Sequence, residues 1–282
     1  MRTAHIDRLI QLALEEDLGP GDITTDNLVL SDQQGQGIII AKEDLIIAGL
    51  DIAHQVFTTI DPDISWKPDC KDGDALVAGT PVLSIEGRLA VLLKGERTAL
   101  NFLQRLSGIA THVRAFVDAL DDSTVRLVDT RKTTPGWRVL EKYAVRVGGA
   151  ENHRFGLYDG VLIKDNHIIA AGSVFTAITR VRQKISHLVK IEVETSDMAQ
   201  VREALAAGAD VIMLDNMDIP QIQDAVREIA GRALVEVSGG VQMKDLSALA
   251  ATGVDIISVG ALTHAARCVD LSMRLQAGNR IV

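Results

Sequence analysis

From Lys190 the chain reads KIEVETSDMAQVREALAAGADVIMLDNMDIPQIQDAVREIAGRALVEVSGG, residues 190–240, and this stretch decides the fold. Short β-branched runs, Lys190–Glu194, Asp210–Leu214 and Leu234–Val237, alternate with helical patterns, as in a parallel βα architecture. The helices have recognisable starts. Ser196 and Asp197 precede MAQVREALAAG, and Asp218 with Pro220 precedes QIQDAVREIAG. Gly208 and Gly231 follow these helices, and Gly253 the next one, where a left-handed terminal residue is wanted. Working outward, Val125–Asp129, Gly160–Lys164 and Asp255–Val259 supply three more strands of the same kind.

Polarity distinguishes a barrel from a doubly wound sheet. The six runs begin apolar and finish in Asp129-Thr130-Arg131, Lys164-Asp165-Asn166, Glu192 with Glu194, Asp215-Asn216, Ser238-Gly239-Gly240, and Ser258 with Gly260. Parallel α/β folds bind ligands at the carboxyl ends of their strands, and only a barrel gathers all of those ends at one mouth. The first part of the chain reads differently. His5–Asp17 is an amphipathic helix closed by Gly19-Pro20-Gly21, followed by strand-like Gly37–Lys42, a helix around Asp51–Thr58 and a strand at Val82–Ile85. A long helical stretch, Gly95–Leu120, is interrupted near Gly108, where the domain transition is placed. The expectation is an α/β protein: an N-terminal α+β sandwich domain over residues 1–108, and a C-terminal open or incomplete α/β barrel over residues 109–264.

The 282 residues, 47% of them hydrophobic with six prolines, suffice for a substantial core. No apolar block approaches the roughly 20 residues of a membrane span, and the charged N-terminus lacks a secretory pattern, so a cytoplasmic protein is expected. Cys70 and Cys268 have no metal-type spacing and read as reduced, incidental thiols.

Against a net charge of -9, residues 128–167 collect seven cations, Arg131, Lys132, Arg138, Lys142, Arg146, Arg154 and Lys164, with five acids, Asp129, Glu141, Glu151, Asp159 and Asp165. A local cationic cluster in an acidic protein points to a small polyanion rather than a nucleic acid. Arg131 beside Lys132, and His153 beside Arg154, form a mixed clamp for oxyanions. Arg138, Lys142 and Arg146, spaced by four, read as an exposed helix face. Glu192 and Glu194 share one strand face, and Asp215 ends the next strand. Such carboxylates suit a hard cation such as Mg2+, although Glu192 could equally ion-pair with Lys164 or Lys190. Ser238-Gly239-Gly240 and Val259-Gly260-Ala261 each join a strand to a helix, as phosphate cradles do. Together these features describe a pocket for a phosphorylated sugar diphosphate and a second anion.

The chain resembles the quinolinate phosphoribosyltransferases over essentially its full length. The resemblance is carried by Thr130-Arg131-Lys132-Thr133 with Pro135-Gly136, Gly148-Gly149, Asn152-His153-Arg154 and Lys164-Asp165-Asn166-His167. Glu15-Asp17, Gly21-Asp22-Ile23-Thr24 and Glu96-Arg97-Thr98 with Asn101 extend it. It implies transfer of phosphoribose to quinolinate with decarboxylation, giving nicotinate mononucleotide, pyrophosphate and CO2. It also implies that Arg131, His153, Arg154 and Lys164 bind quinolinate, and that Arg97 reaches in from the neighbouring subunit of a homodimer. Glu194 and Asp215 would serve the ribose hydroxyls and Mg2+, in preference to Glu192, and Lys132 or Lys164 would neutralise the leaving pyrophosphate. The substrate-binding set further includes Thr130, Ser238, Gly239, Gly240, Ser258, Val259 and Gly260. A final helix, residues 265–282, would pack back on the N-terminal domain. The rivals are a molybdenum-transport-associated homologue with another acceptor, a Schiff-base aldolase using Lys164, and a non-catalytic metabolite sensor.

Overall fold

The computed structural model describes residues 3–120, 124–277 and 280–281. The chain forms two compact units, residues 1–112 with 266–282 and residues 113–265. In chain order the first contains α1 (Ala4–Leu18), α2 (Ile23–Leu28), β1 (Gln34–Ala41), β2 (Leu45–Ile46), α3 (Leu50–Ile60), β3 (Ser65–Pro68), β4 (Ala75–Leu76) and β5 (Pro81–Arg88). Helix α4 (Leu89–Ala119) carries the chain across the unit boundary. Next come β6 (Arg126–Val128), α5 (Arg138–Gly148), β7 (Val161–Ile163), α6 (Asp165–Ala171), α7 (Val174–Arg182), β8 (Ile191–Thr195) and α8 (Met198–Ala206). The second unit closes with β9 (Val211–Asp215), α9 (Ile219–Ile229), β10 (Leu234–Ser238), α10 (Leu246–Ala250), β11 (Ile256–Ser258) and α11 (Ala261–His264). Strands β12 (Leu271–Ala277) and β13 (Arg280–Ile281) return to the first unit. Among the described residues no helix is long and apolar enough to cross a membrane.

The first unit is built on an antiparallel sheet of order β13-β12-β1-β5-β3. Gly37, Ile39 and Ala41 of β1 are buried at every second position. Helix α1 buries Ile6, Ile10 and Leu14 at four-residue spacing and contacts α3, whose Ile52, Val56 and Phe57 are enclosed.

Two sequence expectations fail here. The C-terminus is a strand rather than a helix: β12 pairs with β1 over seven residues, from Gly35↔Ala277 to Ala41↔Leu271. Leu271, Met273 and Leu275 recur with period two, the strand period, and this alternation rather than a helical one governs the segment. Nor does Gly108 interrupt α4, which runs through it. A Cβ at Gly108 would lie 2.0 Å from the Arg267 carbonyl oxygen, so glycine is required there by close backbone approach. The 266–271 segment is held against α4 by Arg105 Nη1 donating to the Ala266 carbonyl (2.6 Å) and Gln104 Nε2 to the Leu271 carbonyl (3.0 Å). Gly108→Ala should therefore cost about 3 kcal/mol by overpacking, read as a lower urea midpoint. Unchanged stability would contradict this contact.

The second unit carries a six-stranded parallel sheet of order β6-β11-β10-β9-β8-β7. Strands β6 and β7 follow one another in the chain yet occupy its two edges, so the α/β barrel is open between them. Each strand leads into a helix. Asp197 caps α8 by accepting from the Gln200 amide, and Asp218 with Gln221 forms a capping box at α9, as the sequence indicated.

Candidate active site

The carboxyl ends of the barrel strands border a cavity of about 830 Å3. Thr130, Arg131, Lys132, His153, Arg154, Lys164, Glu194, Asp215, Ser238, Gly239, Gly240, Ser258, Val259 and Gly260 all line it. Every lining residue belongs to the second unit. Arg97 is not among them and lies exposed on α4 in the first unit. A second hollow of about 640 Å3, bordered by Arg126, Ser247 and Asp255, sits at the amino ends of the strands, the end that parallel α/β folds do not use for ligands.

A buried ion pair builds the cationic side. Asp129, which follows β6, accepts from Lys142 Nζ, from Asn152 Nδ2 (2.8 Å) and from the His153 amide (2.8 Å). Lys142 Nζ also donates to the His153 carbonyl (2.9 Å) and stands over the Phe155 ring. Lys142 is 0% exposed, so its expected place on a solvated face with Arg138 and Arg146 is wrong. Spacing by four identifies a face without saying whether water or Asp129 meets it. Burial pushes the Asp129 pKa up and the Lys142 pKa down, each opposed by the partner. The pair fixes residues 152–154, and Arg154 Nη1 donates to the Gly160 carbonyl (3.1 Å). Burial and the charge of Arg131 lower the Arg154 pKa, so these two guanidiniums sit in mutual repulsion that an anion between them would relieve.

Lys164 does not pair with Glu192. Its Nζ donates to Glu194 Oε2 at 2.8 Å and the side chain is 47% exposed. An ion-paired, half-exposed ammonium is the reverse of the desolvated amine that a Schiff-base enzyme needs. Asp215 ends β9 beside β8, and its Oδ2 accepts from Asn216 Nδ2 (2.7 Å). Glu194 and Asp215 offer only oxygen donors on adjacent strands, a set that suits Mg2+.

In the loop after β10, Gly239 has φ 96° and packs against Asn216, whose backbone nitrogen would lie 2.8 Å from a Cβ at that position. Gly260 packs against Lys132, and Thr263 Oγ1 donates to the Lys132 carbonyl (2.7 Å). Both glycine loops thus bring backbone close to the cavity wall.

The floor holds a group that sequence reading missed. His153 Nε2 lies 3.0 Å from Glu192 Oε2 and 3.6 Å from Glu236 Oε1. Glu236 lies before the polar end of its strand, and a charged residue inside LVEVS is itself a signal, since burying it is costly. Burial and the neighbouring Glu192 push the Glu236 carboxyl up to about 7. His153 Nδ1 accepts the Arg154 amide hydrogen at 2.8 Å. Burial disfavours the charged ring. The hydrogen bond and charge of Glu192 outweigh that and raise the His153 pKa, yet the amide bond to Nδ1 settles the ring as neutral with its hydrogen on Nε2. Ligand atoms of His153, Glu192 and Glu236 lie within 4.8 Å of one another, a metal-like spacing. That spacing is taken up by the hydrogen bond between His153 Nε2 and Glu192.

Because folding raises the Glu236 pKa, its contribution to stability is fully present below the ordinary carboxylate range and is lost as pH rises to about 7. Glu236→Gln should flatten the fall in Tm between pH 5 and 8, and an unchanged slope would show that Glu236 does not titrate there.

The fold and cavity together define an α/β-barrel protein with a cationic, glycine-lined cavity at the carboxyl ends of its strands. Family models for the quinolinate phosphoribosyl transferase C-terminal domain and N-terminal domain match residues 109–274 and 22–107. The chain belongs to the quinolinate phosphoribosyl transferase family. It is 44% identical, over all of its own length and 97% of the other's, to a Bacillus subtilis protein described as a "probable nicotinate-nucleotide pyrophosphorylase (carboxylating)". A Synechocystis protein of the same description is 46% identical over 96% of this chain and 92% of its own. The crystal structure of NadC from Streptococcus pyogenes superposes with a TM-score of 0.95 at 44% identity, covering 99% of each chain.

Proposed function

We propose that this protein transfers phosphoribose from 5-phosphoribosyl 1-pyrophosphate to the ring nitrogen of quinolinate and removes one carboxylate, giving nicotinate mononucleotide, pyrophosphate and CO2. The observation that carries this reading is the single cavity joining the Arg131 and Arg154 guanidiniums, two lysines, the Glu194 and Asp215 carboxylates, and two glycine loops. Family membership at 44% identity to a carboxylating nicotinate-nucleotide pyrophosphorylase agrees with it.

Arg131, Arg154 and Lys164 hold the adjacent carboxylates of quinolinate and turn its ring nitrogen toward C1 of the ribose. The backbone of Ser238-Gly239-Gly240 and Val259-Gly260 receives the 5-phosphate, with Ser258 beside it. Lys132 stabilises the departing pyrophosphate. Glu194 and Asp215 would hold Mg2+ together with the ribose hydroxyls, and that ion supplies charge neutralisation at the diphosphate. Bond breaking at C1 passes through an oxocarbenium-like state that needs no protein nucleophile. Once the ring nitrogen is ribosylated its positive charge stabilises the electron pair left by CO2, so transfer precedes decarboxylation.

The active unit is a homodimer in which Arg97 completes the neighbouring subunit's site. Mixing Arg97→Ala with Arg154→Ala subunits then restores about a quarter of wild-type activity after full exchange, since half the dimers are mixed and each has one intact site. No recovery, with exchange demonstrated, would rule out a shared site. The reaction itself is tested by 1H and 31P NMR of the products, where nicotinate mononucleotide and pyrophosphate should appear in equal amounts and chelation of Mg2+ should stop both. Absence of either product from folded protein would refute the assignment.

A further inference from the structure

Two carboxylates and one imidazole meet at the cavity floor, and placing their hydrogens fixes their charges. His153 Nδ1 accepts the Arg154 amide hydrogen, so the one hydrogen of the neutral ring sits on Nε2 and goes to Glu192 at 3.0 Å. Among the described residues the only ion-pairing contacts of Glu192 and Glu236 are with this ring. Two carboxylates this close, both at least nine-tenths buried and beside a neutral ring, cannot both ionise. Glu192 takes the Nε2 hydrogen bond. One oxygen of each glutamate, Glu192 Oε1 and Glu236 Oε1, is buried with no hydrogen-bond partner among the described residues. Glu236 is the more deeply buried, at 1% exposed, and lacks the Nε2 hydrogen bond, its Oε1 lying 3.6 Å away. The proton therefore resides on Glu236. Of the two glutamates only Glu236 lines the cavity.

We propose that the Glu236 carboxyl group donates the proton that replaces the departing carboxylate on C2 of the ribosylated acceptor. This rests on the carboxylating reaction proposed above. In that step the bond from C2 to its carboxylate breaks heterolytically, CO2 leaves, and the electron pair remains on C2 beside the positive ring nitrogen. The O–H bond of Glu236 breaks, its hydrogen forms the new C2–H bond, and the Glu236 carboxylate regains a proton from water before the next turnover. No electron is gained or lost overall, and no further reactant is needed. Burial and the neighbouring Glu192 favour the acid form of Glu236, and His153, Ser258 and Arg126 oppose it without overcoming them. Glu192 faces it from β8, His153 from the 152–154 segment and Ser258 from β11, and Met213, its partner on β9, is uncharged. Arg126 on β6 is the last of the influences on this group and is itself paired with Glu151. Glu236 thus keeps its proton up to about pH 7.

The test is the deuterium fraction at C2 of nicotinate mononucleotide made in an equal mixture of H2O and D2O, read by proton NMR. Wild type and Glu236→Asp should share one fraction, set by a carboxyl donor. Glu236→Gln should give a different fraction, with kcat about 100-fold lower and KM for quinolinate within about threefold of wild type. A shifted fraction with unchanged kcat still supports the donor, since protonation then follows the slow step. A wild-type fraction in Glu236→Gln overturns it whatever happens to kcat. If Glu236→Gln fails to fold by circular dichroism, the wild-type fraction between about pH 6 and 8.5 decides, because loss of the Glu236 proton should change it and a constant fraction would contradict the donor. Wild-type protein that releases no CO2 would refute the proposed function. An active wild type with an unchanged Glu236→Gln fraction refutes only this inference.

Discussion

Arg154→Ala is expected to lower kcat/KM for quinolinate about a thousandfold, the equivalent of about 4 kcal/mol, while leaving the affinity for phosphoribosyl pyrophosphate close to wild type. The size follows from geometry. The guanidinium is half-buried, held by the Gly160 carbonyl and repelled by Arg131, so it is preorganised for an anion and stressed without one. The selectivity follows from the proposed division of the cavity, in which Arg131 and Arg154 take the acceptor and the loops after β10 and β11 take the phosphate. Steady-state kinetics varying each substrate in turn checks both parts. An equal loss of affinity for both substrates would mean that Arg154 supports the whole cavity rather than the acceptor.

Lys142→Met should be the most destabilising single change, at about 3 to 5 kcal/mol and a fall in Tm of about 10 °C. Removal of the ammonium leaves Asp129 in a site where neither side chain of the pair reaches solvent, with the Asn152 and His153 hydrogen bonds as the remaining ones to its side chain among the described residues. Replacing both partners, Asp129→Leu with Lys142→Met, should recover much of that stability, because no uncompensated charge remains. Activity should stay low in the double variant, since the His153 amide and carbonyl lose the partners that position the clamp. A single variant as stable as wild type would show the pair to be dispensable.

These two residues also mark how far the sequence could be read. Arg154 was visible because an arginine beside a histidine, between strand-like runs, breaks the pattern of a solvated face. Lys142 was hidden because helical spacing assigns residues to a face but does not say what covers it, and the Asp129 that covers it lies 13 residues earlier on another element. The barrel strands were legible from β-branched runs punctuated by Asp caps, and their polar ends pointed to the mouth where fourteen candidate residues now line one cavity. Gly108 misled because a glycine in a helical run suggests a break, whereas its cause is a carbonyl of Arg267 supplied from far along the chain. Strand β12 was legible in principle, since LSMRLQA alternates. Glu236 carried a signal too, a carboxylate inside an apolar strand, but its partners on β8 and in the 152–154 segment emerge only when the sheet is assembled.

Carboxylating transfer at this cavity is tested most directly by supplying quinolinate labelled at its C2 carboxylate, with phosphoribosyl pyrophosphate and Mg2+, and by running nicotinate in parallel. Labelled CO2 and nicotinate mononucleotide in a one-to-one ratio from quinolinate, with no nucleotide from nicotinate, is the predicted result. Nucleotide formed from nicotinate as readily as from quinolinate, or no labelled CO2 from folded dimeric protein, would contradict it.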